Sequence, residues 1–188
     1  MKKVLLLTLL TLISLLSACS YNLTFEDFFH KKMKEISKGY DKEVNYSYSL
    51  VHKEEDVVQP NDAIAVFTEN NTRGEQIFIA YFKQEDDQWE WKQTRGAEWD
   101  TPVKWSAMHQ EQYIYSGAIS DSSIKAVFAG KEKAKIIEVE DDKRFWYAIS
   151  GEKDVEVKMV MKDGTQNVID EIDDEMLKEW TERLTKNK

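Results

Sequence analysis

Few residues of this 188-residue chain have the types and spacings that catalysis requires. The sequence has one cysteine, and its three histidines, His30, His52 and His109, lie in separate segments. A zinc site or a His-Cys pair needs a second histidine or cysteine at suitable spacing, and none of the three has one. The sequence also lacks a Gly-x-Ser-x-Gly elbow, a Gly-rich phosphate loop and a His-Glu-x-x-His pair. We therefore predict that the protein is not an enzyme and holds no metal or other cofactor.

Three acidic clusters, at residues 85–87, 138–142 and 170–175, are the other candidates for chemistry. Calcium needs several oxygen ligands that converge on one point, and the sequence lacks the EF-hand spacing with its glycine. Each cluster falls at a predicted turn or helix start, where solvated acids are ordinary. A pair of acid and base carboxylates depends on a separation in space, so a small hydrolase stays open as an alternative.

The single cysteine, Cys19, follows a short apolar run at the N-terminus. Lys2 and Lys3 precede this run, which covers thirteen residues, 4–16. A membrane-spanning helix needs about 20 apolar residues, so the run is too short to cross a bilayer. A positive start, a short apolar middle and small residues at the exit are typical of an export signal. We therefore predict a signal peptide over residues 1–18.

The residues around the cysteine, Leu16-Ser17-Ala18-Cys19, resemble the lipobox of bacterial lipoproteins. The resemblance implies that a diacylglyceryl group is attached to Cys19 through a thioether. It also implies cleavage between Ala18 and Cys19, which makes Cys19 the mature N-terminus. Two acyl chains give stable anchoring where one gives only marginal binding. The resemblance therefore places the protein at the extracytoplasmic face of a bacterial cell membrane.

The composition of the predicted mature chain, residues 19–188, limits its fold and its partners. A length of 170 residues suffices for one domain or two small ones. Because lipid would consume the only thiol, the fold must be stable without a disulfide. The mature chain has 24 basic and 35 acidic residues, a net charge of −11. A net acidic surface argues against nucleic acid as the partner, since phosphate binding requires a basic stripe.

Residues 19–23 are predicted to form a short tether between the lipid and the body of the protein. An amphipathic helix is predicted directly after them. Thr24 is a suitable N-cap, and Gly39 is a suitable end. The apolar side chains fall on one arc of the helix, Phe25, Phe28, Phe29, Met33 and Ile36. Four lysines lie elsewhere on its surface, Lys31, Lys32, Lys34 and Lys38. Because the tether is short, we expect these lysines to orient the protein at the membrane. The alternative is that they form only a solvated helix surface.

The rest of the chain is predicted to consist mainly of antiparallel strands. A meander is expected over three segments, 63–69, 76–83 and 89–94, and the unbroken apolar run of the middle one predicts a central strand. Shorter strands follow at regular spacing, at 103–107, 112–119, 124–128, 134–140, 144–149, 155–161 and 166–169. Residues 115–139, 144–149 and 162–165 resemble the β-rich tails of small Bacillus-type lipoproteins.

A second amphipathic helix is predicted at the C-terminus, with Asp173 as its N-cap. The predicted fold class is therefore α+β, a mainly antiparallel β meander or sandwich with one N-terminal and one C-terminal amphipathic helix. We expect a helix-plus-meander unit over residues 24–108 and a small β unit with the C-terminal helix over residues 109–188. The alternative is one continuous sandwich that carries both helices on its flank.

Tryptophan is the one enriched residue type that suggests a binding function. Trp89 and Trp91 are two residues apart on a strand and share a face, and Trp99 follows closely. Exposed aromatic faces stack on sugars of a cell-wall polymer or mark a protein interface. The alternative interpretation is that these rings fill the core and its rim.

The sequence favours a non-catalytic recognition module that is anchored by lipid and binds a protein or a cell-wall component. An accessory or inhibitor module for a membrane enzyme or transporter is the second interpretation. A small hydrolase is the third.

Overall fold

A computed structural model of the protein describes residues 23–40, 45–72, 74–97, 99, 104–140 and 142–172. The predicted first helix is present as α1, Phe25–Ser37. The hydroxyl of Thr24 accepts a hydrogen bond from the backbone N–H of Asp27 at 3.2 Å, which confirms the predicted cap. Two acidic residues, Glu26 and Asp27, lie in the first turn, where they stabilise the positive end of the helix dipole.

Sheet I is an antiparallel meander, and α1 packs against one of its faces. Its strands follow the chain in the order β1-β2-β3-β4. Their bounds are β1 Ser47–Glu55, β2 Asp62–Asn71, β3 Gly74–Glu85 and β4 Gln88–Ala97. Residues 77–82 of β3 are all buried, which confirms the prediction of a central strand covered on both faces. β2, β3 and β4 correspond to the predicted meander but are each longer than predicted.

Sheets II and III are built from the second half of the chain and do not follow chain order. Sheet II has the order β5-β6-β10-β9, and sheet III has the order β12-β11-β7-β8. The strands of sheet II are β5 Ser106–His109, β6 Tyr113–Ile119, β9 Lys135–Glu140 and β10 Lys143–Ser150. The strands of sheet III are β7 Ile124–Ala129, β8 Glu132–Lys133, β11 Val157–Met161 and β12 Gln166–Val168. All neighbouring strands pair antiparallel.

Three separate apolar cores show that the elements stack in four layers. The first core lies between α1 and sheet I and includes Phe29 and Phe82. The second lies between sheets I and II and joins Ile79 of β3 to Phe145 of β10. The third lies between sheets II and III and is centred on Trp146, whose side chain is fully buried. The order of layers is therefore α1, sheet I, sheet II and sheet III.

The predicted α+β fold class with two amphipathic helices is wrong. The described residues form three antiparallel sheets, and they contain one short helix. The strands of the second half form two sheets that cover each other, so that a sheet rather than a helix buries each inner face. The predicted C-terminal helix begins at Asp173 and lies outside the described residues.

The division of the chain into two units stays a prediction. The boundary predicted between residues 108 and 109 falls inside β5.

Most predicted strands of the second half are present, with ends that differ by one or two residues from the prediction. β1 and the two-residue β8 were not predicted as separate strands.

Candidate functional site

A group of ionisable and polar side chains lies where the edge strand β1 meets sheet II, and we call it the Glu54 cluster. It consists of Glu54, His52, Lys135 and Tyr147. One carboxylate oxygen of Glu54, Oε2, lies 2.6 Å from Lys135 Nζ and 3.3 Å from His52 Nε2, and it also accepts a hydrogen bond from the Tyr147 hydroxyl. Lys135 belongs to β9 and Tyr147 to β10, so the cluster joins sheet I to sheet II.

A β-bulge in β1 aims His52 and Glu54 at sheet II. The pairing of β1 with β2 shifts between Leu50 and His52. Before the shift, the even-numbered residues Tyr48 and Leu50 pack against the α1 core. After it, His52 and Glu54 face sheet II. A bulge adds one residue to a strand and so turns the following side chains to the other face.

The electrostatics of the Glu54 cluster favour the ionised form of the Glu54 carboxyl at neutral pH. Partial burial opposes ionisation of Glu54, but hydrogen bonds from Lys135, Tyr147 and His52 outweigh it and lower the pKa of Glu54 to about 2. The pKa of Tyr147 is raised by burial and by its hydrogen bond to Glu54. A general acid or base works best with a pKa near the operating pH. The carboxylate is therefore suited to holding two sheets together and unsuited to proton transfer near neutral pH.

A second polar centre is the buried carboxylate of Asp62 at the start of β2. It accepts hydrogen bonds from the backbone N–H of Val57 at 2.7 Å and of Gln59 at 2.9 Å, and from the Tyr81 hydroxyl at 2.9 Å. Burial is the main reason that the pKa of Tyr81 is raised to about 12. Since these donors occupy its oxygens, Asp62 orders the turn between β1 and β2.

The three tryptophans singled out in the sequence do not form one surface. Trp89 and Trp91 are half-buried beside α1, where Trp91 stacks on Phe29 with ring centroids 6.2 Å apart. Trp99 lies with the core between sheets I and II, and Lys143 Nζ sits 5.3 Å from its ring centroid. Sheet I therefore separates Trp99 from the other two. A ligand-binding role for these rings stays a prediction.

The histidines are also apart from one another. His30 Nδ1 lies 3.2 Å from the Tyr48 hydroxyl on the α1 side, and His109 stacks on Tyr113 at the edge of sheet II. Within the described ranges, no group of three or more histidine, cysteine or acidic side chains is arranged to hold a metal ion.

The predicted membrane-facing residues divide into two kinds. Lys31 and Lys34 are exposed on α1 and Lys38 is exposed at its C-cap, whereas Lys32 is half-buried and pairs with Glu35 at 3.0 Å. The predicted lipidation and cleavage residues, Ala18 and Cys19, lie outside the described residues. Of the helical segments that the structure describes, none has the length and apolar character needed to cross a bilayer.

Sequence reasoning missed the Glu54 cluster and the Asp62 centre. The backbone donors to Asp62, Val57 and Gln59, lie only three to five residues away, so that miss concerned a local turn. The miss of the Glu54 cluster has another cause. The spacing of His52 and Glu54 on one strand was visible, but their partners lie more than 80 residues further along the chain. A pairing over such a distance is a property of the fold and leaves no local pattern.

Comparison of the chain with protein-family models, with curated proteins and with solved structures finds no match. The residues of the chain itself are therefore the basis of the functional conclusion.

Proposed function

We propose that this protein is a lipid-anchored module at the extracytoplasmic face of a bacterial cell membrane, where it recognises a protein or cell-wall partner without catalysis. The observation that carries the proposal is the sequence Leu16-Ser17-Ala18-Cys19 at the end of a thirteen-residue apolar run. Such a run is too short to cross a bilayer by itself. A cysteine placed at its end supplies the thiol that lipid attachment requires.

The chemistry of the body supports recognition over catalysis. The polar group between sheets I and II, the Glu54 cluster, has a carboxylate that receives three donors, and these lower its pKa to about 2. This carboxylate is engaged in joining two sheets. The net charge of −11 on residues 19–188 favours a protein or wall partner over nucleic acid.

Mass spectrometry of the membrane fraction of expressing cells tests the anchor. The N-terminal peptide is expected to begin at Cys19 and to carry a diacylglyceryl group. In the variant Cys19→Ala the leader should stay uncleaved or the protein should be shed. The neighbouring change Ser20→Ala keeps the thiol and serves as the control. A wild-type chain that is unmodified and begins at another residue would contradict the proposal.

The recognition role is tested by affinity capture of the lipidated protein from its own membranes and by binding to purified cell-wall sacculi. We expect saturable binding to one of these partners and no turnover of wall polymer or ester substrates. Reproducible turnover by the purified protein would favour the hydrolase alternative.

A further inference from the structure

Three exposed lysines, Lys31 and Lys34 of α1 and Lys38 at its C-cap, form one stripe along the outer face of the helix, which we call the lysine stripe. Their spacings of three and four residues place them on one side of a helix. The opposite side is fixed to sheet I, since Phe29 and Met33 are fully buried in the core between the two. The lysine stripe therefore points away from the body of the protein.

The acidic side chains of α1 are engaged in other contacts. Glu26 pairs with Lys53 at 2.9 Å, and Glu35 pairs with Lys32 at 3.0 Å. Asp27 accepts a hydrogen bond at 2.7 Å from the hydroxyl of the N-cap residue. The bond to Asp27 comes from a neutral hydroxyl, so its carboxylate keeps its charge, and the three stripe lysines together with Asp27 leave a net charge of +2.

The chain that precedes α1 limits how far the helix can lie from a lipidated Cys19. Five residue steps separate Cys19 from Thr24, and an extended chain covers at most about 3.3–3.6 Å per residue, or about 16–18 Å in all. The start of α1 must therefore stay close to the membrane surface, whatever path these residues take.

We propose that the lysine stripe lies against the anionic headgroups of the membrane that holds the protein, with sheet III turned away from it. This inference rests on the proposed lipid anchor. Basic side chains near a membrane are attracted by anionic lipid, whereas the rest of residues 19–188, which carries a net charge of −14 without these three lysines, is repelled.

Because the layers follow one another in a fixed order, contact of α1 with the membrane also fixes the distance of each sheet from the membrane. Packed sheets lie about 10 Å apart, so sheet III lies about 20 Å beyond sheet I on the side away from α1. A partner would approach sheet III, and it would not reach the outer face of α1, which the membrane would cover.

The experiment uses the full lipidated protein on vesicles of phosphatidylcholine with or without phosphatidylglycerol. Because a lipidated Cys19 has no free thiol, one introduced cysteine is the only site that a thiol-reactive fluorophore can label. Gly39→Cys places the probe at the exposed end of α1, and Gln166→Cys places it on the exposed strand β12 of sheet III. A quencher attached to lipid headgroups reports the proximity of each probe to the membrane.

On anionic vesicles we expect the probe at residue 39 to be quenched several-fold more than the probe at residue 166. The triple variant Lys31→Gln, Lys34→Gln, Lys38→Gln should remove at least half of that difference. The matched control changes three exposed lysines of sheet III and its turns, Lys125→Gln, Lys133→Gln and Lys162→Gln, and should keep the difference. On vesicles of phosphatidylcholine alone, the difference in quenching between the two probes should also disappear.

Two results overturn the inference in distinguishable ways. Equal quenching at the two positions of a lipidated protein, or no effect of the stripe variant, refutes the orientation and leaves the anchor intact. Labelling of Cys19 in the protein without an introduced cysteine shows that the thiol is free, which refutes the anchor and with it the orientation.

Discussion

At the scale of single residues, Glu54 shows how one side chain joins two layers. Its Oε2 atom receives Lys135 and Tyr147 from two strands of sheet II, while Glu54 itself lies on the edge strand of sheet I. The side chain is 39 % exposed, so water screens its charge and limits its contribution to stability. The contact lies at the rim of the apolar core between sheets I and II, where it links β1 to sheet II.

The lowered pKa of Glu54 makes this contact sensitive to acid. A carboxyl whose pKa falls from 4.5 to about 2 on folding stabilises the protein fully above pH 4.5, and this contribution is lost as the pH falls toward about 2. We expect Glu54→Gln to lower the free energy of unfolding by about 1 kcal/mol at pH 7, since the group is partly solvated. The gap from wild type should shrink between pH 4.5 and about 2.

Urea denaturation at several pH values measures this gap. Glu138→Gln, an exposed position on the neighbouring strand β9, removes the same charge and is the control. A gap that stays constant as the pH falls would show that Glu54 acts by packing and not by its charge.

At the scale of elements, α1 depends on the face that it buries. A helix of 13 residues is marginal in isolation even with a good cap. Phe29 is fully buried and makes ring contacts with Phe67, Phe82 and Trp91. Packing against sheet I is therefore the main source of stability for the helix.

Two substitutions separate packing from capping. We expect Phe29→Ala to lower the free energy of unfolding by about 3–5 kcal/mol, as for other large-to-small changes in a core. Thr24→Ala should lower it by only about 1 kcal/mol, since it removes one N-cap. Thermal and urea denaturation of both variants test whether Phe29→Ala lowers the free energy of unfolding more than Thr24→Ala does. Equal effects would mean that capping stabilises α1 as much as its apolar face does.

At the scale of the whole molecule, the core between sheets I and II joins the two halves of the chain. Ile64, Ile77 and Ile79 from the first half are fully buried in the same core as Ile114 and Phe145 from the second. A shared core of this kind favours unfolding of sheets I and II in one step.

Hydrogen exchange measured by mass spectrometry tests this coupling. Ile79→Ala should lower the free energy of unfolding by about 2–5 kcal/mol, and amides of β10 should lose as much protection as amides of β3. Val168→Ala, at a position that is 59 % exposed, is the control and should leave both unchanged. If β10 keeps its protection in Ile79→Ala, the chain behaves as two units.

The sequence alone determined features that depend on neighbouring residues. The cap at Thr24, the apolar arc of α1 and the central strand β3 follow from local spacing, because periodicity and capping act over a few residues. The lipid anchor proposed at Cys19 also rests wholly on local sequence.

Only the tertiary structure decided the order of the strands, the stacking of the sheets and the partners of Glu54. These features depend on contacts between residues that are far apart in the chain. The order of sheet II, with β10 between β6 and β9, has no local signature, and neither has the stacking of three sheets. The bulge after Leu50 turned Glu54 from the α1 side toward sheet II, where Lys135 and Tyr147 meet it. Alternation along a strand predicts that side chains change faces, but only pairing with another strand fixes which face each residue takes.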